Sequence, residues 1–89
     1  MNYSVYILYS HSKDKYYIGY TQNISERLLK HNAGATPSTR FGIPWVKVYE
    51  EECVSKTAAI KRENYIKKMK SRKYVERLIS RYSLGAVPP

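Results

Sequence analysis

The sequence has one cysteine, Cys53, in 89 residues. A lone thiol excludes a disulfide framework and a cysteine metal cluster, and it fits a reducing, cytoplasmic setting. No apolar run approaches the ~20 residues that a membrane span needs. The N-terminal MNYSVYIL lacks the basic start and long apolar stretch of a signal peptide. Glycine and proline number four each, with no linker rich in Gly, Ser or Pro and no internal repeat. The chain therefore reads as one small domain over residues 1–82, with a flexible, fraying tail over 83–89. Acidic residues are scarce, seven against sixteen Lys and Arg, for a net charge of +9.

What is abundant is cationic charge and tyrosine. Ten Lys or Arg residues fall between Lys56 and Arg81, opposed only by Glu63 and Glu76. Such a block favours a polyanionic partner, most often nucleic acid. A membrane surface attracts the same charge, and a solvated helix face is the plain alternative. The expected partner is DNA, with RNA as an alternative and no membrane. Tyrosine occurs ten times, against one Phe and one Trp.

Tyr3 to Tyr9, YSVYILY, is β-branched and aromatic, which predicts a strand. His11-Ser12-Lys13-Asp14 reads as a turn, and Tyr16 to Thr21 as a second strand, antiparallel to the first. Side chains alternate along a strand. Tyr3, Val5, Ile7 and Tyr9 then share a face with Tyr16, Ile18 and Tyr20, while Tyr6 and Tyr17 share the other. A four-residue turn sets Tyr6 opposite Gly19 and Leu8 opposite Tyr17, so that Gly19 leaves room beside a phenol.

Asn23 reads as a helix cap with Glu26 as its capping-box partner. Ile24 and Leu28 face inward on that helix, and Arg27 and His31 lie four residues apart on one flank. Residues 32–44 are loop-like. Trp45 to Cys53 is a third strand, whose three glutamates are expected to mark a solvated end. Ser55 caps a helix running to about Ser71, with Ala58, Ala59, Tyr65, Ile66 and Met69 as its apolar stripe. Glu63 sits on the border of that stripe and Arg62 nearer its middle. A last helix, about Lys73 to Tyr82, carries Val75, Leu78 and Ile79. The fold class is α/β in the α+β sense: a three-stranded antiparallel or mixed sheet flanked by helices, in the order β-β-α-β-α-α.

The polar residues that stand out are Tyr6, Tyr17, Arg27, His31 and Glu63. One carboxylate near a core border suits a single hard cation, because Mg²⁺ keeps most of its waters and takes one or two carboxylates plus phosphate oxygens. Such a metal acts as a Lewis acid on a phosphodiester. Arg27 offers a planar fork for phosphate. A phenol titrates near ~10 in water, and Arg27, lysines and a metal are expected to lower that value. A phenol then accepts a proton from water, and His31 accepts it in turn. Each residue has a plain alternative: core tyrosines, a packed histidine, one more surface arginine, and a Glu63–Lys67 pair worth ~0.2–0.5 kcal/mol.

Taken in order, these positions resemble the GIY-YIG nuclease superfamily. Val5-Tyr6-Ile7 stands for its first motif, with Val5 replacing glycine, and Tyr17-Ile18-Gly19 for its second. Arg27 and His31 in SERLLKH and Glu63 in AAIKRENYIKK follow at similar spacing, and the likeness runs from Tyr3 to Leu78. The stretch HNAGATPSTRFGIPW is similar to the short, standalone bacterial members. The resemblance implies divalent-metal-dependent cleavage of DNA phosphodiesters. It implies Tyr6 as the base or its relay partner and Tyr17 as holder of the nucleophile or phosphate. Arg27 would clamp phosphate, His31 assist Tyr6, and Glu63 bind Mg²⁺ or Mn²⁺. Many relatives carry an Asn after the glutamate helix; here none follows Asn64, and Leu78 and Ser80 occupy that region.

Larger relatives attach a separate DNA-binding domain, so the basic block must serve here: Lys67, Lys68, Lys70, Arg72 and Lys73, with Arg40 added. Thr39, Arg40 and Trp45 are placed at the site mouth, with Trp45 either stacking a base or plugging the core. The leading expectation is an endonuclease on single-stranded or branched DNA, since so small a surface suits a long duplex site poorly. The alternatives are a nucleic-acid-binding module with a weakened site and a subunit docking on a larger DNA-repair partner.

Overall fold

Strand propensity, helix caps and one tight turn divide the chain much as expected. The computed structural model describes residues 2–83, so the expected tail lies almost wholly outside the described residues. The elements are β1 Tyr3–Ser10, β2 Lys15–Thr21, α1 Ile24–Asn32, a 3₁₀ helix Pro37–Gly42, β3 Trp45–Cys53, α2 Lys56–Lys68 and α3 Arg72–Ser83. The sheet is fully antiparallel, in the order β2-β1-β3.

The β1–β2 register is the one derived from parity and turn length: Tyr6 faces Gly19 and Leu8 faces Tyr17. Central β1 is covered on both sides, and Val5, Tyr6, Ile7 and Leu8 are all buried. On one face Val5, Ile7 and Tyr49 pack with Ala59 and Ile66 of α2 and Val75 and Leu78 of α3. On the other, Tyr6, Leu8 and Trp45 pack with Ile24 and Leu28 of α1.

A bulge separates those two cores in β3. Ile7 pairs with Tyr49 but Leu8 with Lys47, which leaves Val48 as the extra residue. Residues four apart on a regular strand share a face, whereas the bulge sends Tyr49 and Trp45 to opposite faces. Trp45 is thereby a core plug, 2% exposed, with its indole N–H donating to the Thr39 carbonyl at 2.8 Å. Asn32 ties the end of α1 to the same strand, accepting from Trp45 N at 2.6 Å and donating to Trp45 O at 3.0 Å.

Several expectations need correction. The Asn23 side chain caps α1 through Glu26 N at 3.1 Å, but the Asn23 N–H donates to Thr21 Oγ1 and the Glu26 carboxylate pairs with Lys30, so the box is half-formed. The loop over 32–44 contains a 3₁₀ helix with Pro37 at its start. The helix predicted to reach Ser71 ends at Lys68, and Lys70 turns the chain with φ 47° in place of the usual glycine. Tyr65 and Met69 are exposed, so the buried stripe of α2 narrows to Ala59 and Ile66.

The strand glutamates are not simply solvated. Glu51 is half-buried, receives Arg62 Nε at 2.9 Å and accepts the Tyr49 hydroxyl at 2.7 Å. Burial and the Glu51 carboxylate push the Tyr49 phenol up. Glu50 accepts from Ser4 and pairs with Lys47.

Candidate active site

Among the described residues β2 has only one hydrogen-bonded neighbour, and a cleft of about 730 Å³ runs along its open edge. Gly19, Tyr20 and Thr21 all line it. Consecutive strand residues point to opposite faces, so a cleft touching all three meets the strand edge-on. This geometry lets the two helical layers contribute together. Tyr6, Tyr17 and Arg27 enter from the α1 side and Glu63 from α2. Asn23, Glu26, Lys30 and Lys56 complete the charged and polar rim.

Tyr6 forms the floor. It is 1% exposed, and its ring fills the space left by Gly19. Its hydroxyl meets His31 Nε2 at 3.1 Å, while His31 Nδ1 meets Thr39 Oγ1 at 2.8 Å. His31 is buried behind the cleft, not on its wall. Tyr17 stands over this pair, its ring centroid 6.3 Å from that of Tyr6 and 4.9 Å from that of His31.

The protein's own groups do not produce the lowered phenol expected with Arg27, lysines and a metal together. The Tyr6 phenol is raised well above its ordinary value, not lowered. Burial is the main cause; Tyr17 and Glu63 add to it, and Arg27 opposes. Tyr6 therefore rests as a neutral phenol. Burial and, after it, Arg27 lower His31 below its usual range, so the imidazole is neutral near pH 7 and can accept a proton.

Glu63 is largely sheltered, with 13% of its side chain exposed, and its Oε2 pairs with Lys67 at 3.1 Å. Among the described residues no three His, Cys, Asp or Glu side chains gather as a ligand set. One carboxylate opening on a wide polar cleft suits a hard cation that retains its waters and draws other ligands from phosphate. It does not suit zinc, which takes three or four protein ligands. The donor set thus fits Mg²⁺ or Mn²⁺ at Glu63.

The cationic residues divide. Lys68, Lys70 and Lys73 are exposed and form no ion pair among the described residues. Lys67 is engaged by Glu63, and Arg72 by Asp14 and Glu76. Arg40 is exposed but lies outside the cleft, its Nε donating to Gly34 O at 2.6 Å. Thr39 is buried beside Trp45, so neither residue lines the mouth. Leu78 is core and Ser80 exposed, and neither reaches the cleft.

Sequence reasoning missed Lys30 and Lys56 as cleft residues. Lys56 precedes Glu63 by seven positions, two turns on the same flank, and that spacing was a usable signal. Nothing in the spacing pointed to Thr39 as the partner of His31.

The family model for the GIY-YIG catalytic domain matches residues 2–75. The chain belongs to the GIY-YIG family. That assignment makes it, in general terms, a nuclease-type domain. The chain is 40% identical over 77 residues to a UPF0213 protein of Natronomonas pharaonis, covering 85% of this chain and 88% of the relative. It is 48% identical over 65 residues to a UPF0213 protein of Bacillus licheniformis, covering 71% of this chain and 65% of the relative. The solution NMR structure of a UPF0213 protein from Bacillus halodurans superposes with a TM-score of 0.56 at 34% identity, covering 90% of this chain and 84% of that one. Among the described residues, no helix is long and apolar enough to cross a membrane.

Proposed function

We propose that this protein is a divalent-metal-dependent endonuclease that hydrolyses DNA phosphodiester bonds, with single-stranded or branched DNA as substrate. The observation that carries the reading is the meeting of Tyr6, Tyr17, Arg27 and Glu63 in one cleft, with Tyr6 backed by His31.

Glu63 would hold Mg²⁺ or Mn²⁺, which when bound supplies Lewis-acid stabilisation of charge on the leaving oxygen. Arg27 binds the phosphate and offsets charge gained in the transition state; Lys56 adds positive potential along the rim, where Lys30 is offset by Glu26. Tyr17 orients the phosphate or the attacking water. A neutral Tyr6 cannot act as a preformed phenolate. It takes a proton from water at its hydroxyl oxygen while its own proton passes to His31 Nε2. The water oxygen bonds to phosphorus, the P–O bond to the leaving oxygen breaks, and that oxygen takes a proton from solvent. His31 ends as an imidazolium.

The exposed Lys68, Lys70 and Lys73 form the docking surface for the DNA backbone, with Arg40, Lys67 and Arg72 as secondary contacts. We place the activity in a cytoplasmic domain over residues 1–82; the third reading, a subunit that docks on a larger DNA-repair partner, is favoured if neither cutting nor retention of nucleic acid is seen. The Lys67–Glu63 pair favours a second reading, a nucleic-acid-binding module whose carboxylate is neutralised. Labelled single-stranded, duplex and branched DNA, and RNA, incubated with Mg²⁺, Mn²⁺ or EDTA, separate the two. Metal-dependent products lost in Glu63→Ala support the nuclease. Retention of nucleic acid with no cut under any metal supports the module.

A further inference from the structure

The 3₁₀ helix brings a hydroxyl to the inner end of the Tyr6–His31 pair, and that hydroxyl has little freedom. Thr39 is 1% exposed. Its Oγ1 donates to the Thr36 carbonyl at 3.2 Å, which can only accept. A hydroxyl has one proton. When that proton goes to Thr36 O, the 2.8 Å contact from Thr39 Oγ1 to His31 Nδ1 is made by an Nδ1–H that donates. A neutral imidazole has one N–H only, so in that arrangement Nε2 is bare and accepts from the Tyr6 hydroxyl at 3.1 Å.

We propose that Thr39 is a positioning residue that fixes His31 in its Nδ1–H tautomer and so keeps Nε2 open to the Tyr6 proton. The order of donation is one-way: Tyr6 O–H to His31 Nε2, His31 Nδ1–H to Thr39 Oγ1, Thr39 O–H to Thr36 O. Were the ring to hold its hydrogen on Nε2, it would face the Tyr6 oxygen as a donor and the relay would have no acceptor. Thr39 also restrains ring rotation, because a flip of the imidazole would lose both bonds. Once Nε2 is protonated, the Nδ1–H bond to Thr39 persists, so the imidazolium keeps a partner inside the core. Thr39 touches neither the cleft nor any reacting atom, and its effect on turnover passes through His31. That effect rests on the nuclease reading above; the tautomer does not.

The test is a long-range ¹H–¹⁵N spectrum of the whole protein at pH 7.5, which distinguishes a protonated Nδ1 from a protonated Nε2. It is recorded for wild type, Thr39→Ser and Thr39→Val, alongside single-turnover cleavage. Wild type and Thr39→Ser should show the Nδ1–H form. Thr39→Val should lose that preference and cut about 10–100-fold more slowly, as loss of an orienting partner does elsewhere, with Thr39→Ser recovering most of the rate. An Nε2–H form in wild type overturns the inference. So does a Thr39→Val protein that keeps Nδ1–H, or a Thr39→Ser protein that loses it. If Thr39→Val fails to fold, wild type and the serine variant still decide. If wild type cuts no substrate, the nuclease reading falls while the nitrogen signals still judge Thr39.

Discussion

A Cβ at position 19 would lie 2.6 Å from the Tyr6 hydroxyl oxygen and 2.7 Å from its Cζ. The glycine of the second motif is therefore an empty volume that the Tyr6 ring occupies, and the two residues are cross-strand partners. Gly19→Ala should displace the phenol from His31. Overpacking of this kind costs about 1–3 kcal/mol, so the variant should fold, unfold at lower denaturant concentration, and lose cleavage far beyond its loss of stability. Equilibrium urea unfolding beside a cleavage assay reads both.

Lys67 competes with any cation for Glu63. Replacing it with Met should lower the Mg²⁺ or Mn²⁺ concentration at half-maximal cleavage. The stability cost should stay within about 0.5 kcal/mol, the scale of an i,i+4 pair. A metal titration of wild type and variant checks the direction, and an unchanged midpoint counts against Glu63 as the ligand.

Acid should destabilise the fold through His31. Its folded-state pKa lies below its ordinary value of 6.5, so the unfolded chain binds the extra proton first. The stabilising effect is complete above the unfolded value and is lost as pH falls through 6.5 towards the folded value. Asp14 is also lowered, but from 3.8, and acts only in stronger acid. Urea midpoints should drop between pH 7.5 and 5.5 in wild type and change less in His31→Asn.

DNA affinity should fall steeply with salt if Lys68, Lys70 and Lys73 hold phosphates. Neutralising all three should flatten the slope of log K against log salt by about 0.7–0.9 per residue. Arg72, a secondary contact held by two carboxylates, should change the slope less and act chiefly on stability. It joins the β1–β2 turn to α3 through Asp14 and Glu76 and lies 4.9 Å over the Tyr16 ring, so Arg72→Ala should loosen that junction and cost stability. Binding measured from 50 to 200 mM salt distinguishes the two kinds of residue.

Arg62→Leu should destabilise by roughly 3 kcal/mol, because it leaves the Glu51 carboxylate part-buried without its cation. Arg62 and Glu51 side chains are each 18% exposed. The loss should be much smaller in Arg62→Leu with Glu51→Leu, as a denaturation double-mutant cycle would read.

Strand alternation and turn length sufficed to place Tyr6 against Gly19, since both depend on local geometry. The cap at Asn23 and the third strand were legible for the same reason. The Val48 bulge was not, because an inserted strand residue leaves no mark in a pattern of apolar positions; Trp45 as a core plug was one of two readings, and the bulge is what decides for it. The break at Lys70 hid because lysine seldom adopts positive φ. The cleft's direction of approach, along a sheet edge shared by both helical layers, depends on which strand is outermost. Parity within the first two strands does not decide that. The raised Tyr6 phenol followed from depth, which outweighed Arg27, the one member of the expected lowering set (Arg27, lysines and a metal) that acts on it here.

The outermost position of β2 has a thermal consequence. Lys15 to Thr21 is anchored through a single ladder to β1, so this segment can peel away while β1 and β3 stay zipped together. Warming should then abolish turnover several degrees before the bulk melt, with backbone amides of Tyr17 to Thr21 exchanging their protons ahead of those in Val5 to Leu8.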